Sequence, residues 1–215
     1  MKQQFLKTDV LIIGAGPVGC VLAERMSNEL KLNCIILEKR NHLAGNCYDI
    51  KNKQGVLYHK YGPHYLRFKN KKIYNYLSKF TKWIPGNYLV KSFVEGKFYN
   101  FPINVNTIEK YFNKKFKDFS EAKKFLKSKK LKIKNPKNAE EYILSKVGKE
   151  LYENFYKNYS VKQWGIFSKS LNKSVLGRVP IRMNRNNYYV KEKLKLMPNK
   201  GYTEMFKKMI SNKKI

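Results

Sequence analysis

The chain has 215 residues, 42% of them hydrophobic, and a formal net charge of +31. That length can bury a real core and holds one large domain or two small ones. No run approaches the roughly 18 apolar residues of a membrane span, and Cys20, Cys34 and Cys47, odd in number and without CxxC spacing, speak against a disulfide framework or a cysteine metal site.

Asp9–Ile13 is a short β-branched run that predicts a strand, Val18–Leu30 reads as a helix, and Cys34–Leu37 is a second buried strand ending on Glu38. Between strand and helix stands Gly14-Ala15-Gly16-Pro17-Val18-Gly19. Gly14 suits a tight turn, Gly16 a close approach of backbone to pyrophosphate, and Gly19 close helix–sheet packing. The helix N-terminus offers unpaired N–H groups and a positive dipole end to the phosphates. Glu38 is spaced to accept a hydrogen bond from a ribose hydroxyl. A bare GxGxxG is weak, but strand, helix, second strand and acid in order point to dinucleotide binding. The same motif, inside an apolar stretch that could pass for a signal peptide, argues against cleavage there and for a cytoplasmic protein.

Lys39–Asn46 is expected as a loop against the cofactor. A hairpin follows, Tyr48–Ile50 with Val56–Tyr58 around Lys53-Gln54-Gly55, then a turn at Tyr61–His64 and a helix over Lys71–Phe80. Tyr88–Phe93 and Lys97–Asn100 read as strands joined at Glu95-Gly96. From Asn106 the period is helical. Asp118 with Glu121, and Asn138 with Glu141, are capping boxes. After Gly148 a third helix carries Leu151, Tyr152, Phe155, Tyr156 and Tyr159 on one face, with extended segments around Arg178–Val190 beyond it.

Basic residues comprise 40 lysines and only six arginines. Sequence-specific nucleic-acid recognition leans on arginine's fork. Lysine is enriched here alongside Asn, Ile, Tyr and Phe, which points to compositional bias. The dense stretch Lys123–Lys137 therefore reads as a solvated helix face and loop and not as a specific nucleic-acid site. Attraction to an anionic membrane surface stays open.

Several motifs join into one resemblance. Glu38-Lys39-Arg40-Asn41-His42 through Gly45-Asn46, then His59-Lys60-Tyr61-Gly62-Pro63-His64, Phe101-Pro102-Ile103-Asn104, Tyr159-Ser160-Val161-Lys162-Gln163-Trp164-Gly165 and Arg178-Val179-Pro180-Ile181-Arg182 stand in one order. Asn187-Tyr188-Tyr189 and Gly201-Tyr202-Thr203 complete the set. From Val10 to about Met209 the chain resembles the UDP-galactopyranose mutase family, over a little more than half of a typical member's length.

The resemblance implies an α/β fold: a Rossmann-like FAD-binding domain with a helical insertion and part of an antiparallel-sheet domain. It divides the chain into an FAD-binding βαβ unit (1–80), extended segments (81–105), a helical insertion (106–160) and incomplete substrate-side segments with a mobile loop at 167–176 (161–215). It implies a flavin-dependent isomerase that interconverts pyranose and furanose forms of a UDP-sugar, with reduced FAD as covalent nucleophile. Gly14, Gly16, Gly19, Glu38, Lys39, Asn46 and His64 would hold the cofactor. Arg182 would bind the diphosphate, Trp164 and Tyr159 would form an aromatic wall, and Tyr189 would stack on uracil. Arg182, Trp164 and His64 are the catalytic candidates, and no metal is expected. Without the resemblance the aromatics would be read as core and Arg182 as an ion-pair partner.

Three departures matter. Arg67 stands where the family has a second histidine, which points to a modified sugar such as an N-acetylated hexose. Ala44 stands where a glycine is usual, and so does Lys200. The missing length implies an incomplete copy, inactive alone, with a separate C-terminal half or a homo-oligomer as partners. Another FAD-dependent oxidoreductase and a non-catalytic basic fragment are the alternatives.

Overall fold

The computed structural model describes residues 7–68, 70–87, 89–189 and 195–215. Tyr88 and Val190, the ends of two expected extended segments, lie outside them. The chain divides into unit 1, Met1–Asn87 with Glu192–Ile215, and unit 2, Tyr88–Lys191. The helical insertion and the strands before it thus share a unit. The segment expected as 161–215 is divided between the two units.

In unit 1, β1 (Val10–Ile13) and β2 (Cys34–Leu37) pair in parallel, Val10 opposite Cys34 through Ile13 opposite Leu37, with α1 (Pro17–Glu29) as the crossover. Proline fits the first helical position because its missing N–H would be unpaired there anyway. Small residues on α1 (Gly19, Cys20, Ala23, Ser27) let it lie close to the strands. Ile12, Ala23 and Cys34 form the core beneath it. The other sheet face is bare: Leu11, Ile13 and Leu37 are 54%, 76% and 53% exposed. Parallel strands are usually covered on both faces.

The expected hairpin forms, one residue later than predicted, from β3 (Asp49–Lys51) and β4 (Leu57–His59). Asn52 holds its turn by accepting from Gln54 N and Val56 N. β5 (Leu66–Arg67), α2 (Lys71–Leu77, capped by Asn70) and β6 (Trp83–Pro85) follow.

Unit 2 opens with the hairpin β7 (Val90–Val94) and β8 (Lys97–Phe101). Glu95 and Gly96 both have positive φ, as a tight two-residue connection demands. α3 (Val105–Phe112) starts on Asn104, whose side chain accepts from Thr107 N. α4 (Phe119–Lys129) and α5 (Ala139–Val147) start on Asp118 and Asn138, which accept from Glu121 N and Glu141 N at 2.8 and 2.9 Å. The two glutamates reach back to Lys117 N and Lys137 N, one residue before the cap.

The predicted third helix is interrupted. α6 (Lys149–Tyr152) passes through a π-helical turn, Glu153–Lys157, into α7 (Asn158–Trp164). Leu151, Tyr152, Phe155 and Tyr156 are core, as their spacing foretold, and Tyr159 is half-buried. The stretch 167–176, expected as a mobile loop, is folded and anchored. Ser168 and Leu171 are buried, Ser168 Oγ meets Tyr152 OH at 2.6 Å, Leu171 O accepts from Ala139 N, and Leu176 packs into the core within α8 (Lys173–Gly177). Its polar composition hid two leucines in register with a core.

The chain then returns to unit 1. β9 (Lys195–Pro198) lies antiparallel between β5 and β6, and α9 (Tyr202–Met209) follows Gly201. Asp49, buried, accepts from Tyr202 N at 2.5 Å and Thr203 N at 3.0 Å, while Thr203 Oγ1 donates to Asp49 O. Gly201 has φ +89°, and a Cβ there would sit 2.6 Å from Asp49 Oδ2.

Asp49→Ala removes two acceptors from a buried helix start and should lower stability by about 2 kcal/mol, read as a lower urea midpoint by Trp83 fluorescence. In unit 2, Glu109 accepts both Arg185 nitrogens and Phe116 N, which hold its carboxyl down to about 2. A depressed carboxyl stabilises the fold above its ordinary value of 4.5 and loses that contribution as pH falls towards 2. Acid titration of Glu109→Gln should lack this part of the unfolding curve.

Candidate functional site

The glycine turn has the backbone geometry of a dinucleotide cradle. Gly14 has φ +99°, Gly16 is the N-cap of α1, and no side chain caps that helix. A Cβ on Gly19 would lie 2.0 Å from Gly14 O, so the third glycine is required for strand and helix to meet. Glu38 closes the cradle from β2. Its Oε2 accepts from Ala15 N at 2.7 Å and its Oε1 from Arg40 N at 2.9 Å. These backbone donors hold its carboxyl below the usual range, so it is an anion with lone pairs to spare.

The following loop lies against the cradle, as its position suggested. Ala44 N donates to Ala15 O at 2.9 Å, and a Cβ on Gly45 would come within 3.1 Å of Gly16 Cα. Ala44 adopts φ 71°, a left-handed conformation that costs a residue with a Cβ about 1 kcal/mol. Its backbone thus keeps the shape for which a glycine is usual. Lys39 and Asn46 are exposed, and Asn46 Oδ1 accepts from Arg40 at 2.9 Å. Arg40 also lies 4.7 Å from the Tyr61 ring centre, and Tyr61 OH meets His42 Nε2 at 2.8 Å.

His64 is half-buried. Its backbone N donates to His59 Nδ1, and its own Nδ1 lies 2.8 Å from Gly62 O. Burial lowers the proton affinity of His59, which keeps that ring a neutral acceptor. Arg67 is exposed on β5, opposite Lys195. Cys20 is buried and its thiol is pushed up to about 11, so it packs as a small apolar group. Among the described residues no group of three or more His, Cys, Asp or Glu could hold a metal ion.

In unit 2 the Phe101 ring lies 5.7 Å from Tyr159 and 6.3 Å from Tyr189. Arg182 is placed otherwise than its expected diphosphate role suggests. It is 5% exposed, and its terminal nitrogens donate to the carbonyls of Tyr188 and Tyr189. Its Nε has no hydrogen-bond partner among the described residues. The arginine facing solvent is Arg178, whose guanidinium lies 4.9 Å over the ring of Trp164, itself 41% exposed. Both arginines belong to one RxPxR run. The family resemblance singled out the second, and nothing in the run itself tells which one the helix after 172 leaves outside.

A second feature escaped the sequence reading. Asn187 Oδ1 accepts from Asn100, Asn104 and Asn106 at 2.8, 2.7 and 3.0 Å. This network and Arg182 fix the backbone that carries Tyr188 and Tyr189. The asparagines were visible as a repeated residue type, but their convergence needs the fold.

The βαβ unit, its glycine turn and the acid on β2 define a Rossmann-like dinucleotide-binding protein of the α/β class. Residues 12–80 match the family described as NAD(P)-binding Rossmann-like domain, and residues 154–215 match the family described as UDP-galactopyranose mutase. The chain is a relative of the UDP-galactopyranose mutases. It is 35% identical over 209 residues to a protein of Klebsiella pneumoniae described as a probable UDP-galactopyranose mutase, covering 96% of this chain and 54% of that one. To the dTDP-fucopyranose mutase of Escherichia coli it is 35% identical over 208 residues, covering 96% and 55%. To the UDP-galactopyranose mutase of Mycoplasma genitalium it is 33% identical over 215 residues, covering 95% and 52%. A solved structure of reduced UDP-galactopyranose mutase superposes with a TM-score of 0.67 at 18% identity, over 96% of this chain and 47% of that one, which shows the fold. The chain spans about half the length of the relatives it matches. The Rossmann-like match and the mutase relatives together support FAD as the dinucleotide.

Because the Glu38 carboxyl is depressed, its anchoring of the cradle is complete above its ordinary value of 4.5 and is lost as pH falls through the lower folded value. Dinucleotide retention should therefore stay level from neutral pH down to about 4.5 and fall only below it. Glu38→Gln should weaken retention at every pH, as measured by flavin absorbance after gel filtration.

Proposed function

We propose that the chain carries the cofactor and nucleotide-sugar recognition parts of a flavin-dependent mutase that interconverts the pyranose and furanose forms of a UDP-sugar. The observation that carries this reading is the exposed Arg178–Trp164 pair, in a unit where Tyr159 and Tyr189 flank Phe101 and in a chain whose other unit carries the glycine turn and Glu38.

The residues present fit FAD. The glycine turn leaves room for a pyrophosphate at the start of α1, Glu38 can accept from a ribose hydroxyl, and Lys39 and Asn46 border the same turn. When bound and reduced, the flavin supplies the nucleophile for exchange at the anomeric carbon. His64, tied to His59 and Gly62, is set to orient the ring system.

Arg178 offers charge and paired donors to the diphosphate, and stacking on Trp164 holds its guanidinium ready. Arg182 positions the backbone of Tyr188 and Tyr189, and Tyr189 and Tyr159 present ring faces to uracil. Arg67 brings a fixed charge and donors that suit a sugar with an added carbonyl, such as an N-acetylated hexose. That relatives include a UDP-galactopyranose mutase and a dTDP-fucopyranose mutase supports a site whose sugar varies.

The first test is the visible spectrum of the purified chain after FAD is added and unbound flavin removed. Retained, perturbed absorbance supports a working cofactor site within these residues, whereas none from a folded chain means that other polypeptide is needed. Arg178→Ala should weaken UDP binding about 10- to 100-fold, the worth of a charge-assisted hydrogen bond, with an unchanged urea midpoint. Arg182→Ala should lower the midpoint itself. In turnover assays, Arg67→His should shift preference from UDP-N-acetylgalactosamine towards UDP-galactose, and equal preference in both proteins would sink the sugar assignment.

A further inference from the structure

Within unit 2, α4, α5 and the segment after Arg178 enclose a cleft of about 170 Å³ lined by Lys123, Leu126, Lys130, Lys146, Ile181 and Met183. Three lysines and three apolar side chains line it, and no carboxylate does. Lys130 is half-buried, and burial together with the charges of Lys146, Lys123 and Lys127 lowers its proton affinity. Uncompensated cations at this spacing repel one another until an anion sits among them.

The surroundings extend the pattern. Residues 114–137 hold eleven lysines, no arginine, and two acids, Asp118 and Glu121. Both acids accept backbone amides at the start of α4. Lys129 pairs with Glu150 at 2.8 Å, outside the cleft. Phe119 and Leu131, near the two ends of α4, are exposed. Lysine with exposed apolar side chains suits the boundary between phosphate headgroups and acyl chains. A nucleic-acid site would call for arginine forks or stacking rings on this face, and neither lines the cleft. No helix among the described residues is long and apolar enough to cross a membrane, so contact through this face would be peripheral.

We propose that this face of unit 2 binds the surface of an anionic lipid bilayer, with a lipid phosphate seated among Lys123, Lys130 and Lys146 and acyl carbons against Ile181 and Met183. This goes beyond the mutase reading and does not depend on it.

The test is sedimentation of the full chain with vesicles of phosphatidylcholine alone or with about a third phosphatidylglycerol, at about 0.1 M salt where exposed charges are screened beyond roughly 10 Å. Binding is expected only to the anionic vesicles. Each lysine near such a surface is worth about fivefold, so the triple variant Lys123→Gln, Lys130→Gln, Lys146→Gln should bind about 100-fold more weakly. A control triple in unit 1, Lys51→Gln, Lys53→Gln, Lys60→Gln, removes the same charge and should change binding less than fivefold. Unchanged urea midpoints show that both triples are folded. Equal losses in the two triples would mean that net charge alone acts, which overturns the site. So would absence of binding to anionic vesicles, their full displacement by 10 mM inorganic phosphate, or tighter binding of a single-stranded RNA that competes for the same lysines.

Discussion

Unit 1 exists because Asp49 reaches across more than 150 residues to start α9. Its carboxylate is buried and accepts the Tyr202 and Thr203 amides, so the helix start and the acid satisfy each other. An unpaired buried carboxylate is far more costly than the hydrogen bonds it forms are favourable. That asymmetry obliges the returning segment to come back to the hairpin, and the return places β9 between β5 and β6. Everything from Tyr88 to Lys191 is thereby an insertion into a finished loop of chain. Gly201 belongs to the same device, since any Cβ would collide with Asp49.

Unit 2 solves a different problem, which is to hold a nearly irregular segment still. Residues 182–189 have few ladder partners, so side chains do the holding. Arg182, buried, and Asn187, half-buried, supply fixed donors and acceptors, and Arg185 clamps Glu109 from outside. In this arrangement the Arg182 guanidinium is turned to the backbone and away from the surface. The neighbour four residues before it faces solvent, and stacking on Trp164 limits its side-chain freedom. Polar satisfaction inside and readiness outside are divided between two arginines of one motif.

The bare face of the β1–β2 pair has its own physical meaning. Leu11, Ile13 and Leu37 place apolar surface in water on a sheet type that is usually covered on both sides. The relatives are about twice as long as the matched region, and solved mutase structure extends well beyond it. A cover for this face in unit 1 would stabilise the cradle that the glycine turn begins, because β1 and β2 carry Gly14 and Glu38 at their ends.

Much of the local architecture was legible because it is written in short-range chemistry. The caps at Asp118 and Asn138 and the turn at Glu95-Gly96 each depend on neighbours within a few residues, where spacing and residue type suffice, and the glycine turn and the acid ending β2 stand at a fixed spacing within one βαβ unit. The motif run likewise pointed to the mutase relatives, and the periodic stripe Leu151–Tyr156 to the core. What the sequence could not settle was decided by contacts between distant residues. Composition made 167–176 look loose, but Leu171 and Leu176 find a core only in three dimensions. The π-helical turn at 153–157 keeps the same apolar stripe and so leaves no mark in its period. Two arginines four apart are equivalent until packing buries one of them. Which side chain faces water is a property of the assembled surface, and only the tertiary structure decides it.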